Sequence, residues 1–228
     1  MNEPPGATGS VRQAELCAAV DDAFEREQVP LLRRLVEMPS HTGAKADVEA
    51  AAAVLDEAAH AAGLRMRRVP DPQGVYADHR VYTTSACGDG DRSLALIGHI
   101  DTVFPRSLGF LAFARDDGPD GPGTGDLVRG PGVLDMKSGL TAMLGAIAAV
   151  RRVYGDDAQA LCLRMIINSD EEVGSPSSEP LLPASSRHTS PPRWSVRGRS
   201  RRRSHRSPPG QGRHVRVLHR AAARPNAR

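Results

Sequence analysis

Two adjacent acids at the end of an apolar run constrain this chain more than any other feature. The run 161–167 has the length and apolar content of a buried strand, and Glu171 and Glu172 follow it after a short polar stretch. Neighbouring side chains that leave a strand point to opposite sides. One carboxylate can then bind a metal ion while the other contacts a water beside it, which is what metal-assisted hydrolysis needs.

Two upstream segments favour the same interpretation. A second apolar run, 94–98, ends in His99 and Asp101, which share a face because they are two residues apart. Asp101 can therefore orient the His99 ring, as partners of metal-bound imidazoles commonly do. The glycine-rich segment 130–139 brings Asp135 to the start of a predicted helix, where one carboxylate can bridge two cations.

Each segment also has a simpler interpretation. A His-x-Asp sequence is often an ordinary strand end, an Asp before a helix is often an N-cap, and a Glu-Glu pair often lies in a solvated loop. Here the three segments are about 36 residues apart, and each follows an apolar or glycine-rich approach. This repetition favours one shared site.

Together, the segments 98–105, 130–139 and 169–175 resemble the zinc-dependent exopeptidase and deacylase family. That family includes glutamate carboxypeptidase, acetylornithine deacetylase, succinyl-diaminopimelate desuccinylase and aminoacylase. The Val-Phe-Pro after His-x-Asp-Thr and the Glu-Glu-Val-Gly-Ser sequence are most similar to the glutamate carboxypeptidase branch. The resemblance covers roughly residues 30–182.

The resemblance implies a role for each residue. His99, Asp135 and Glu172 would be ligands of two zinc ions, for which cobalt can substitute, and Asp135 would bridge them. Asp101 would orient His99, and Glu171 would be the general base acting on the zinc-bound water, whose pKa is lowered towards ~7. The implied substrate is a peptide or an N-acyl amino acid. The alternative activity is that of an acetylornithine or succinyl-diaminopimelate deacylase.

The pattern of elements predicts an α/β fold. Helices are expected at 11–28, 30–38, 46–62 and 137–153, and strands near 64–69, 79–85, 94–99 and 160–168. This alternation favours a mainly parallel sheet covered by helices on both faces, with the site at the carboxyl edge of the strands. The resemblance implies an incomplete zinc exopeptidase-like catalytic domain, without the lid through which the family forms homodimers.

The composition changes abruptly after Leu182, which predicts a boundary between 1–182 and 183–228. The last 46 residues carry thirteen Arg and no acid, which leaves 17 basic and 27 acidic residues before them. We expect a disordered tail, because it offers little apolar surface to offset ordering entropy. A frame shift accounts for it best, since 183–195 in a shifted frame can encode an amphipathic helix. A basic arm that binds nucleic acid is the alternative. Without the family's downstream ligands and lid, we expect this chain to be inactive.

Other features bear on the compartment. Cys17, Cys87 and Cys162 are odd in number, far apart and without metal spacing, so buried thiols in a reducing cytosol are expected. The N-terminus shows no signal peptide pattern. The longest apolar stretch, 140–150, is too short to span a bilayer and is expected to be a core helix, which predicts a cytoplasmic protein without a membrane partner. Lys137 is expected to be solvated or paired near its helix start.

Overall fold

The structure, a computed structural model, describes residues 7–88, 91, 93–118, 120–181 and 216–217. Its elements in chain order are α1 (Ala7–Ala23), α2 (Val29–Glu37), α3 (Lys45–Ala61), β1 (Arg65–Val69), β2 (His79–Thr83), β3 (Leu94–His99), β4 (Ala114–Arg115), β5 (Leu127–Arg129), α4 (Ser138–Tyr154), β6 (Leu163–Asn168) and β7 (Arg216–Val217). Short helical turns lie at Phe24–Gln28, Arg106–Leu108, Val133–Lys137, Gly155–Ala160 and Glu171–Val173. The helices and strands expected from the sequence are present.

The main sheet has the strand order β1-β2-β6-β3, so β6 is a central strand. Strands β3 and β6 are parallel, and α4 lies in the connection between them. Strands β1 and β2 form an antiparallel hairpin, because the connection 70–78 is too short for the crossover that parallel strands require. The α/β fold is confirmed. The sheet is mixed: the β3–β6 pair is parallel, as expected, whereas the β1–β2 and β2–β6 pairs are antiparallel.

One core joins the sheet to three helices. The pairing register places Leu163, Met165 and Ile167 on one face of β6, where they are buried with Tyr82 of β2. Helices α2, α3 and α4 pack on this face, and α1 packs on the outer side of α4. The core residues of the three helices are Leu35, Val48, Ala51, Leu55, Ala59, Leu140, Leu144 and Ile147. Within the described part of the chain, helical cover lies on this face, while Ile97 on the other is 45% exposed.

Helix α4 is a core helix, as expected. By length and composition, the helical stretch Val133–Ala160 qualifies as one candidate membrane span. However, the backbone at Asp135 and Met136 is not helical, which separates the first turn from α4. The apolar side of α4 is buried against the sheet, so its hydrophobic content is used in the core.

A small second sheet involves the tail. Strand β5 pairs with β4 in antiparallel orientation and with β7, from Arg216–Val217, in parallel orientation. These two residues of the tail are therefore paired rather than free. The other residues of 183–228 lie outside the described residues. Neither the expected disorder of the tail nor the alternative of a basic arm is tested there. The boundary at 182 stays a prediction.

The expectation of buried thiols was wrong. Cys87 and Cys162 form a disulfide, with their Cα atoms 4.6 Å apart, and Cys17 is free and exposed. The pairing of β2 with β6 brings the two cysteines together, although they are 75 residues apart in the sequence. Disulfides are typical of oxidising compartments, so cysteine usage no longer supports a reducing cytosol. The cytoplasmic location stays a prediction.

Candidate metal centre

The carboxyl ends of the two parallel strands form the candidate site. His99 ends β3 and is paired in register with Asn168, which ends β6. The 3-10 turn Glu171–Val173 follows β6, and the turn Val133–Lys137 carries Asp135 to the same edge. The location is the one expected for a site in a parallel pair of strands.

The structure brings the three predicted ligands together. One ligand atom each from His99, Asp135 and Glu172 lie within 4.8 Å of one another. The Nε2 atom of the buried His99 is 3.0 Å from Asp135 Oδ1. The same nitrogen is 3.8 Å from Glu171 Oε2, and the Glu171 side chain is half exposed. One ring nitrogen therefore faces a cluster of three carboxylates.

Asp101 lies behind His99 and is fully buried. Its Oδ1 is 3.3 Å from His99 Nδ1, the ring nitrogen that faces away from the cluster. The hydroxyl of Thr42 donates to Oδ2 at 2.7 Å, and the backbone N–H groups of Glu171 and Glu172 donate to the two oxygens at 3.3 and 3.2 Å. Asp101 thus ties the end of β3 to the turn that carries both glutamates.

A buried polar network fixes the same turn from the other side. Asp170 is fully buried and accepts hydrogen bonds from the backbone N–H and the hydroxyl of both Ser177 and Ser178. His79 of β2 accepts from the N–H of Ser169 through Nδ1, and its Nε2 is 3.1 Å from the Ser177 hydroxyl. These bonds hold the chain in a compact turn directly after β6.

This turn corrects one detail of the sequence interpretation. Glu171 and Glu172 were expected to leave the strand in extended conformation and to point to opposite sides. They lie instead in a 3-10 turn, because the chain bends at Asp170, where Ser175 N–H bonds to the Asp170 carbonyl. Even so, Glu172 reaches the ligand cluster and Glu171 approaches His99.

The cluster carries excess negative charge, as the pKa shifts show. Burial alone would lower the pKa of His99, but hydrogen bonds to Asp101 and Asp135 and the nearby Glu171 raise it to about 9. Burial raises the pKa of Glu172, and the charges of Asp135, Asp101 and Glu171 add to this against the opposing effect of His99. A bound cation would relieve the repulsion among these carboxylates.

Lys137 was expected to be solvated or paired near its helix start; it is not solvated, and its partners are two backbone carbonyls. Its side chain is 1% exposed, and Nζ donates to the carbonyl oxygens of Leu35 and Met38 at 2.8 and 2.9 Å. Burial lowers the pKa of Lys137 to about 7. The lysine lies under the turn that carries Asp135, within the protein interior.

Three residues of the site escaped the sequence interpretation. Asp170 precedes the glutamates, but its partners Ser177 and Ser178 are seven and eight residues further along the chain, too far for an Asx turn to have indicated its role. His79 belongs to no motif in the sequence, and no local pattern indicates its contacts with Ser169 and Ser177. Thr42 is 59 residues from Asp101 in the sequence, and no local pattern indicates their contact.

An α/β fold with His, Asp and Glu ligand atoms gathered at the carboxyl ends of parallel strands is typical of a metal-dependent hydrolase. Residues 95–199 match the family model described as peptidase family M20/M25/M40. This segment, residues 95–199, is a domain of that family, and it contains all three proposed ligands.

Two curated relatives and one solved structure are similar to this chain. Over 142 residues the chain is 33% identical to succinyl-diaminopimelate desuccinylase from Methylocella silvestris, covering 62% of this chain and 33% of the relative. Over 158 residues it is 27% identical to carboxypeptidase G2 from Pseudomonas sp. strain RS-16, covering 68% and 34%. The fold is similar to that of human carnosine dipeptidase 1, with a TM-score of 0.56, 20% identity and coverage of 73% and 37%. The chain spans about a third of the length of the curated relatives it matches.

Proposed function

We propose that this chain is part of a zinc-dependent hydrolase that cleaves an amide bond next to a C-terminal or N-acylated amino acid. The observation that carries the proposal is the convergence of His99, Asp135 and Glu172 with Glu171 beside them. The names of the two curated relatives, a carboxypeptidase and a desuccinylase, favour this class of substrate.

The donor set fits zinc. One imidazole and two carboxylates are common zinc ligands, and the excess negative charge of the cluster suits a divalent cation. His99 would bind through Nε2, Asp135 would bridge two ions, and Glu172 would bind one of them. When bound, zinc polarises the amide carbonyl and lowers the pKa of a coordinated water.

The remaining residues would orient groups and move a proton. His99 Nδ1 lies 3.3 Å from Asp101 Oδ1 and 3.1 Å from the Asp101 backbone carbonyl oxygen, so its N–H can donate a hydrogen bond to Asp101. This orientation leaves Nε2 free to act as a ligand once that nitrogen is deprotonated. Glu171 is half exposed at the mouth of the cluster, so its carboxylate can accept a proton from water and deliver it to the leaving amine.

Zinc titration of the full 228-residue chain by calorimetry tests the metal site. We expect His99→Ala and Glu172→Gln each to weaken zinc binding by more than the roughly 10–100-fold loss typical of an outer-sphere partner. His60→Ala is the matched control, because His60 is exposed on α3. Zinc binding that survives both ligand substitutions would refute the proposed site.

An amidase assay tests the catalytic role. We expect little turnover from this chain, because its described residues offer three ligands for the two zinc ions proposed. Purified chain with excess zinc is assayed against N-acyl amino acids and peptides with a C-terminal glutamate, which separates the deacylase alternative from the carboxypeptidase type. Turnover that disappears in Glu171→Ala would support the base and contradict the expected inactivity. Turnover unaffected by that substitution would refute Glu171 as the base.

A further inference from the structure

We propose that Lys137 is a positioning residue, which fixes the turn carrying Asp135 by anchoring it to the C-terminal end of α2. The inference rests on the proposed function, because it concerns Asp135 as a metal ligand. It is carried by the contacts of Lys137, by the sequence at the end of α2, and by a chain segment that reaches the site from two sides.

The end of α2 needs a donor at the place where Lys137 lies. In a continuing helix the carbonyl of Leu35 would accept from the N–H of residue 39, but Pro39 has no N–H. The Nζ atom of Lys137 donates to this carbonyl in a buried hydrogen bond and to that of Met38 in a partly buried one. A cation is also favoured at a helix C-terminus, where the carbonyl dipoles converge.

The same segment continues to the other half of the site. Beyond Pro39, the carbonyl of Ser40 accepts from Thr102 N–H at 2.8 Å, and Thr42 N–H donates to the Thr102 carbonyl at 3.2 Å. The Thr42 hydroxyl then binds Asp101. Segment 35–42 therefore holds the Asp135 turn through Lys137 and the end of β3 through Thr42. One segment therefore contacts the chain next to two of the three proposed ligands, Asp135 and His99.

The chemistry of the side chain supports this role. Only two of the 30 basic residues of the chain are lysines, Lys45 and Lys137, so arginine is the usual cation of this sequence. A Cβ added at Gly132 would lie 3.3 Å from Lys137 Cδ, which shows how closely the turn packs on the lysine stem. A compact ammonium can donate to two carbonyls at one point, whereas the planar guanidinium is larger and directs its donors in a fixed fork.

The test uses two measurements. The NMR signals of the His99 ring report on the position of Asp135 in the metal-free chain, and zinc affinity reports on the site when it binds metal. The full chain is labelled with 15N-histidine, and the His99 ring signals are assigned with His99→Gln. Asp135→Asn defines the shift that follows loss of the contact between His99 and Asp135. We expect Lys137→Met to shift the His99 signals in the same direction and to weaken zinc binding by about 10–100-fold, the effect typical of outer partners. Lys45→Met is the matched control, because Lys45 also donates to a backbone carbonyl, that of Gly74, and is expected to change neither reading.

Three outcomes decide the inference. A folded Lys137→Met chain with wild-type His99 signals and zinc affinity would overturn it, even if its melting temperature fell. If Lys137→Met does not fold, Lys137→Gln replaces it, and because the amide keeps an NH₂ donor group on a shorter side chain we expect changes of the same sign but smaller size. A wild-type chain that binds no zinc would refute the proposed function, while the metal-free His99 comparison would still decide the role of Lys137.

Discussion

Replacing Asp101 with asparagine tests whether this carboxylate holds the candidate metal centre together. Asp101 accepts on both oxygens, from Thr42 and from the backbone N–H groups of Glu171 and Glu172, and lies beside His99 Nδ1. Asparagine keeps the shape of the side chain but replaces one acceptor oxygen with an NH₂ donor. The NH₂ group of asparagine can take the place of either oxygen. In one orientation it faces the N–H of Glu171, and in the other it faces the N–H of Glu172.

The orientation with the lower energy sets the expected magnitude. With the NH₂ group beside Thr42, the hydroxyl can turn and accept, so only the N–H of Glu172 loses its partner. One buried donor without an acceptor costs about 1–3 kcal/mol, which is the expected loss in the free energy of unfolding. In this orientation the turn that carries the ligand Glu172 also loses its hydrogen bond to the end of β3. We therefore expect zinc affinity to fall by roughly 10–100-fold.

Urea unfolding of the metal-free chain at pH 7 and zinc calorimetry measure the two effects. Asp157→Asn is the matched control, because Asp157 is exposed in the turn Gly155–Ala160. An Asp101→Asn chain within about 0.5 kcal/mol of wild type, the range of ordinary surface substitutions, with unchanged zinc affinity would refute the reasoning.

Three further predictions concern stability. Reduction of the disulfide Cys87–Cys162 should lower the free energy of unfolding by about 2–4 kcal/mol, measured by urea unfolding with and without dithiothreitol. Gly132→Ala should lower the melting temperature of the chain more than Gly109→Ala does. Both glycines have positive φ, but a Cβ at Gly132 would lie 2.7 Å from a methyl group, whereas a Cβ at Gly109 would meet nothing within 4 Å. Burial would raise the pKa of Glu49, but its bonds to the buried arginine of β2 hold that pKa below 4.5. The carboxylate should therefore stabilise the fold above pH 4.5, and Glu49→Gln and wild type should converge in urea unfolding as the pH falls through the lowered pKa.

Local sequence patterns were enough to predict most of the elements and the proposed ligands. His99 and Glu172 follow apolar strands, and a glycine-rich turn precedes Asp135, so their chemistry and their place at a strand end could be predicted together. The contacts that position them depend on the tertiary fold. Lys137 binds the end of α2, and Cys87 meets its partner only through strand pairing, so neither follows from neighbouring residues.

Residue patterns also limit what can be predicted of a buried charge. A lysine near a helix start is usually solvated, and only the missing N–H of Pro39 distinguishes this case. The missing N–H of Pro39 indicates a buried partner for the Leu35 carbonyl only once the structure shows that α2 ends beside the Asp135 turn. The antiparallel β1–β2 hairpin likewise depends on which strands become neighbours, which periodicity does not specify.

The central position of β6 has a consequence for how the chain folds as it is synthesised. Strand β6 pairs with β2 on one side and with β3 on the other, yet it is the last strand of the main sheet in the sequence. Until it leaves the ribosome, β3 has no partner in this sheet and only the β1–β2 hairpin can form. The sheet is thus closed by contacts of long sequence separation, which are slow to form and leave apolar strands exposed to aggregation in the nascent chain.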